Sequence, residues 1–183
     1  ERIPHFQSVS IGFWFRAGSA YETPEENGLT HFIEHMLFKG THIKTARQIA
    51  QAMDSIGGQM NAFTAKEYTC FYCKVMDEHI ELALELLSDM LLNSVFDPIE
   101  IQKEKNVILE EIDMYDDSPE DLAHELLSKA YFGKHPLAMP ILGESEQLLK
   151  YNRDDLLNYK QKFFTTDNLV IAVAGKFREN ELV

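Results

Sequence analysis

The stretch Gly28-Leu-Thr-His-Phe-Ile-Glu-His-Met-Leu-Phe38 constrains this chain more than any other. At helical period Leu29, Phe32, Ile33, Met36 and Leu37 fall at i, i+3, i+4, i+7 and i+8, one continuous apolar face that has to be covered. The other face carries His31, Glu34, His35 and Phe38. Two histidines four apart lie one turn apart on the same side, close enough to hold a single metal ion. Glu34 sits beside them without needing to be a ligand. A carboxylate there can take a proton from water, the second requirement of a hydrolytic zinc site.

The order His-x-x-Glu-His inverts the His-Glu-x-x-His helix of zinc peptidases. The histidine spacing is unchanged, and the acid moves from just after the first histidine to just before the second. Five-residue patterns also recur by chance on the wet side of ordinary helices, so the flanking sequence has to decide.

The 183 residues fit one domain with a full core, and 45% hydrophobic with 26% charged residues is a globular composition. No apolar run approaches a membrane span and no signal-peptide pattern opens the chain, so no membrane partner is expected. The chain starts at Glu1, without a Met, in what reads as a strand, and residues before it are expected. A formal charge of −13 argues against nucleic acid or an anionic membrane as partner and toward cationic or neutral ligands. The pair Cys70-Phe-Tyr-Cys73 resembles a zinc or redox motif only superficially. It falls in Thr69–Met76, which alternates like a strand, and residues three apart on a strand point to opposite faces. Two reduced cysteines in a sheet fit a reducing compartment.

Along the chain, Val9, Ile11, Phe13 and Phe15 alternate with Ser8, Ser10, Gly12 and Trp14, a half-buried strand ending near Gly18. Ser19–Gly28 is a polar loop, with Asn27 expected to cap the helix that follows. Thr45–Ile56 reads as a second helix closed by Gly57-Gly58. Gln59–Ala65 and Thr69–Met76 are strands of a hairpin turning at Ala65-Lys-Glu-Tyr68. Asp77 is the expected cap of a long helix burying Ile80, Ala83, Leu84, Leu87 and Leu91. Asp97-Pro98 opens a helix running to about Asp117, and Ser118-Pro119-Glu-Asp121 restarts one, with a capping-box pattern, that Gly133 stops. Lys134–Gly143 is a loop, and Asn152 caps a last helix reaching Phe163. The apolar run Asn168–Gly175 suits a central strand buried on both faces. Strands first, helices in the middle and a strand at the end predict an α+β layer, an antiparallel or mixed sheet covered by helices.

A catalytic zinc takes three protein ligands and one open position. The helix from Pro98 offers Glu104, Glu110 and Glu111. Glu104 and Glu111, seven apart, lie almost on one line, and Glu110 is turned about 100° away. Spacing alone does not choose which line faces the histidines.

Four segments carry a resemblance: Ala17-Gly-Ser-x-x-Glu22, Asn27-Gly-Leu-x-His-Phe-x-Glu-His-Met-Leu-Phe-Lys-Gly-Thr41, Asn61-Ala-x-Thr64 and Glu104-Lys-x-Val-Ile-x-Glu-Glu111. Together they resemble the pitrilysin family of inverzincin metallopeptidases, nearest the bacterial processing proteases related to the catalytic subunit of the mitochondrial processing peptidase. The similarity runs from about Ser8 to Gly175. It implies one Zn²⁺ per chain held by His31, His35 and Glu111, with Glu34 as general base and Glu104 supporting the site without touching the metal. It implies too that the strand holding Asn61, Ala62, Phe63 and Thr64 lies at a sheet edge and receives the peptide substrate as an added strand. Asp121 and Glu125 resemble acidic positions that receive a basic substrate residue, although a solvated acidic face has the same appearance.

The resemblance further implies a clamshell of two related domains or two subunits, of which residues 1–183 are the N-terminal, zinc-binding part. The expected partner is therefore a second homologous domain or subunit, in a dimer or a two-domain assembly. The expected setting is the bacterial cytoplasm, with the mitochondrial matrix as the alternative. The implied activity is zinc-dependent endopeptidase action on extended peptides or presequences. Its rival is a non-catalytic structural or peptide-binding subunit of the same fold.

Overall fold

Alternation builds the sheet. Strand β1 (Ser8–Phe15) turns Val9, Ile11, Phe13 and Phe15 to one face, all buried, and pairs antiparallel with β3 (Thr69–Met76) on one side. On its other side it pairs antiparallel with β4 (Leu169–Gly175), and β2 (Gln59–Thr64) closes the order β2-β3-β1-β4 as an edge strand. The computed structural model describes residues 1–178. The architecture is α+β, and the pairing within the sheet is antiparallel, with an isolated parallel bridge between Arg2 and Gly175 beside it.

Seven helices accompany the sheet among the described residues: α1 (Leu29–Leu37), α2 (Ala46–Ser55), α3 (Ile80–Asn93), α4 (Pro98–Asp116), α5 (Pro119–Phe132), α6 (Ser145–Lys150) and α7 (Arg153–Phe163). None is long and apolar enough to cross a membrane. The core joins the inner face of β1 and β3 to Phe32, Ile33, Met36 and Leu37 of α1 and to Ala83, Leu86 and Leu87 of α3. Helix α1 contacts β2, α4 and α7, so it lies buried in the middle of the molecule. Capping follows the expected chemistry at Thr45, Asp97 and Asn152, and the Ser118 hydroxyl accepts from the Asp121 N–H.

Three local expectations are corrected, and one short helix is added. Among the described residues the run 168–175 lies at the end of the sheet and not at its centre. It forms edge strand β4, with Val170 66% and Ile171 52% exposed, because an apolar run specifies a hydrophobic surface and not what covers it. Asp77 opens a short 3-10 turn ahead of α3 and pairs with Lys176. The six-residue helix α6 lies in a stretch too short to show a helical period. Asn27 does not cap α1. The cap residue is Gly28, in the left-handed region at φ 92°, where an added Cβ would meet the Leu142 carbonyl at 2.8 Å.

The capping charge comes instead from Glu22, buried at the head of α1. Its carboxylate accepts from the N–H groups of Gly28 and Thr30, each at 2.8 Å, and from Asn27 Nδ2 at 2.9 Å. An anion is favoured at a helix N-terminus, where unpaired N–H groups and the dipole meet. Burial raises the Glu22 pKa, and the hydrogen bonds from Thr30, Gly28 and Asn27 oppose that rise. Glu22→Gln sets an amide NH2 against backbone donors and should lower stability by about 1–3 kcal/mol, the cost of leaving buried donors unpaired. Urea unfolding measures it, and an unchanged midpoint would show that the cap is dispensable.

Candidate metal centre

Helix α1 delivers His31 and His35 from one face because they are one turn apart, and α4 crosses it with Glu104 and Glu111 on the line turned toward them. Glu110, 100° away by helical period, is exposed and takes no part. The Nε2 atoms of His31 and His35 stand 3.2 Å apart. Glu111 Oε2 lies 3.7 Å from the first and 3.5 Å from the second. Two nitrogens about 2.0–2.1 Å from one zinc at a tetrahedral angle would stand about 3.3 Å apart. The three atoms therefore already have the spacing of three ligands on one ion, and two imidazoles with a carboxylate are a donor set suited to zinc.

The surroundings prepare these atoms. His35 Nδ1 donates to Glu104 Oε1 at 2.8 Å, which places a proton on Nδ1 and turns Nε2 toward His31. Lys39 Nζ pairs with the other oxygen of Glu104 at 2.5 Å. Burial pushes the Glu104 carboxyl up, and the bonds from His35 and Lys39 outweigh it, so the group is held below its ordinary range. His31 is 6% exposed and its Nδ1 has no partner among the described residues. Burial first, and the neighbouring His35 second, push its pKa down to about 3, so the ring is neutral and fit to bind a cation.

Glu34 lies between the histidines in sequence, and its Oε2 accepts a short hydrogen bond from the Thr64 hydroxyl. Burial raises its pKa, partly offset by the Thr64 bond and by His35, while Glu111 adds to the rise. A cleft of about 390 Å³ joins His31, Glu34 and Glu111 to Ala62, Phe63 and Thr64 of β2 and to Asp121 and Glu125 of α5. The acidic pair thus lies at the site. Asp121 is exposed, and Glu125 is paired with Lys129 at 2.9 Å.

Among the described residues strand β2 has its outer edge unpaired within the sheet. The Ala65 N–H bonds the Tyr68 carbonyl, so the hydrogen-bonded pairs fall at Phe63 with Cys70 and Asn61 with Tyr72. The backbone groups of Met60, Ala62 and Thr64 therefore face outward. One of them is occupied locally, since the Ala62 N–H donates to Asn61 Oδ1 at 2.9 Å. Asn61 and Phe63 turn to the outer sheet face, where Phe63 packs edge-on to Trp14.

Three contributors escaped the sequence reading. Lys39 could have been found, because it lies only four residues beyond His35, just past the end of α1. Glu22 and the Thr64 hydroxyl act through contacts between segments distant in sequence, for which no local pattern exists. Both cysteines are buried and unpaired, with thiols pushed up to about 11 by burial.

The model of the family described as Insulinase (Peptidase family M16) matches residues 1–145. A Bacillus subtilis protein named an uncharacterized zinc protease is 54% identical over 180 residues, 98% of this chain and 44% of its own length. Among solved structures, a protease from Helicobacter pylori superposes with a TM-score of 0.94 at 20% identity, over 99% of this chain and 44% of its own. A Pseudomonas fluorescens structure titled a peptidase M16 inactive domain gives 0.92 at 21% identity, over 100% of this chain and 44% of its own. The chain thus spans less than half the length of these relatives.

The electrostatics carry a pH signature. His31 is held at about 3 in the fold against 6.5 for an ordinary histidine, so the fold prefers the neutral ring. Stability from this preference is complete above about 6.5 and is lost as pH falls toward 3, at up to about 1.4 kcal/mol per unit. Glu34, with a raised pKa, works with the opposite sign. In zinc-free protein His31→Leu should flatten the acid loss of stability, read as urea midpoint against pH. A parallel curve for the variant would refute the assignment.

Proposed function

The chain belongs to the insulinase family of peptidases, M16, and we propose that it carries the zinc centre of an endopeptidase that hydrolyses extended peptides. The observation that supports this best is the convergence of His31, His35 and Glu111 beside Glu34 in a cleft bordered by an open strand edge. His31, His35 and Glu111 would hold one zinc ion. When bound, zinc supplies Lewis acidity, lowering the pKa of water toward 7 and polarising a carbonyl.

The protein's own groups do the rest. Glu34 takes the proton of the attacking water and passes it to the departing amine, a task helped by a pKa raised through burial. Glu104, held by Lys39, fixes the orientation and tautomer of His35. The outward backbone of Ala62 and Thr64 takes the substrate as an added strand, with Asn61 and Phe63 beside it, so that binding depends little on side chains. Asp121 and Glu125 border the same cleft and would favour a basic residue near the scissile bond. A second homologous half, as a domain or a partner subunit, would close over the cleft. Relatives more than twice as long support that, and the reduced thiols suit a cytoplasmic setting.

The rival, a peptide-binding or structural subunit, is favoured by one observation: a domain titled inactive shares the fold. Two variants in the full-length protein separate the readings. Glu34→Gln should keep its zinc and lose about 10²–10⁴ in peptide turnover, the contribution of a general base. Glu111→Gln should lose zinc, because a neutral amide is a poor ligand. Zinc per chain and turnover are the measurements; normal turnover by Glu34→Gln rules out the mechanism, and a wild type that binds zinc and peptide without cutting establishes the rival.

Charge reversal at Asp121 and Glu125 together should slow cleavage of arginine-bearing peptides more than of neutral ones. Equal slowing of both would leave the pair no part in selection.

A further inference from the structure

The hydroxyl of Thr64 joins two parts of the site that the proposed reaction treats separately. Thr64 ends β2, and its backbone faces outward along the open edge of the sheet. Its side chain turns the other way and donates to Glu34 Oε2, 30 residues earlier in sequence. The donor is held firmly. Thr64 is β-branched, with few χ1 options in a strand. It stands opposite fully buried Thr69, whose hydroxyl lies 2.9 Å from the Ala17 carbonyl and 3.5 Å from Thr64 Oγ1, within reach to donate to either. A glutamate has three rotatable side-chain bonds, so one fixed oxygen removes most of the carboxylate's freedom and determines where the second oxygen points.

We propose that Thr64 is a positioning residue for Glu34: its hydroxyl anchors one carboxylate oxygen, presents the other to the cleft, and ties placement of the base to the strand that receives the peptide. The inference rests on the peptidase reading of the same site. Thr64 holds no substrate atom through this hydroxyl, which is spent on Glu34. Its loss should therefore reach the chemical step and spare binding of metal and peptide.

The test uses the zinc-loaded full-length protein with an unstructured peptide. Thr64→Val keeps size and branching and removes the hydroxyl; Thr64→Ser keeps the hydroxyl. In Thr64→Val kcat should fall roughly 10- to 100-fold, the scale of a misplaced catalytic group. Its zinc per chain should stay at the wild-type level, as should the peptide Kd measured by anisotropy in zinc-free protein. Thr64→Ser should recover most of kcat. Crystal structures of wild type and Thr64→Val supply a readout independent of activity: the Glu34 carboxylate should keep one position in the first and leave it in the second.

Wild-type kcat in Thr64→Val, or a rise in KM or peptide Kd that accounts for the whole loss, overturns the inference and leaves the peptidase reading standing. Should the wild type itself cut nothing, the peptidase reading falls. The anchoring is then decided by the two structures alone: a carboxylate unmoved in Thr64→Val refutes it, and a displaced one supports it.

Discussion

Helix α1 has to meet two opposed demands within nine residues. One side must be apolar enough to fill the centre of the molecule, and the other must keep nitrogen and oxygen atoms open for chemistry. Nearly the whole helix is buried, including Thr30 and His31 on its polar side. A polar group in that position is tolerated only with a partner, and each neighbour is arranged to supply one. Glu22 serves the helix head, Tyr159 meets the Thr30 hydroxyl at 2.8 Å, and Glu104 serves His35. His31 Nδ1 is left over, and with it two ring nitrogens that face each other. The sheet, α4 and the loop from 139 to 143 are placed as they must be for α1 to lie there.

Three buried or half-buried carboxylates around this helix have different surroundings and different tendencies. Glu22 meets neutral donors from Thr30, Gly28 and Asn27 and is raised by burial. Glu104 meets a lysine and a histidine and is lowered. Glu34 meets one hydroxyl and is raised. The same functional group is thereby made a cap, a fixed anion and a carboxyl with raised proton affinity, and the division follows from the partners each can reach.

The α1 face and the histidine pair were legible in the sequence because both depend on a single period. The β2–β3 hairpin was legible because alternation and turn residues agree. Legibility stopped where two elements meet. Spacing put Glu104 and Glu111 on one line of α4 but could not rotate that line toward α1; the contact of the two helices does so. The cap was assigned to Asn27 because its neighbour is a helix start, whereas the carboxylate that does the work comes from five residues further back. Strand β4 has the composition of an interior strand and lies at an edge, since composition reports affinity for cover and topology decides whether cover is near.

The hydrogen bond from the Ala62 N–H to Asn61 Oδ1 has a consequence for the economy of the open edge. A bare strand edge is an adhesive surface that recruits other strands without discrimination. Here the outward donor is already satisfied, so an arriving chain exchanges one hydrogen bond for another and gains little at that position. The backbone of Met60 and Thr64 faces outward on either side of it, so strand pairing along this edge would be weakest in its middle.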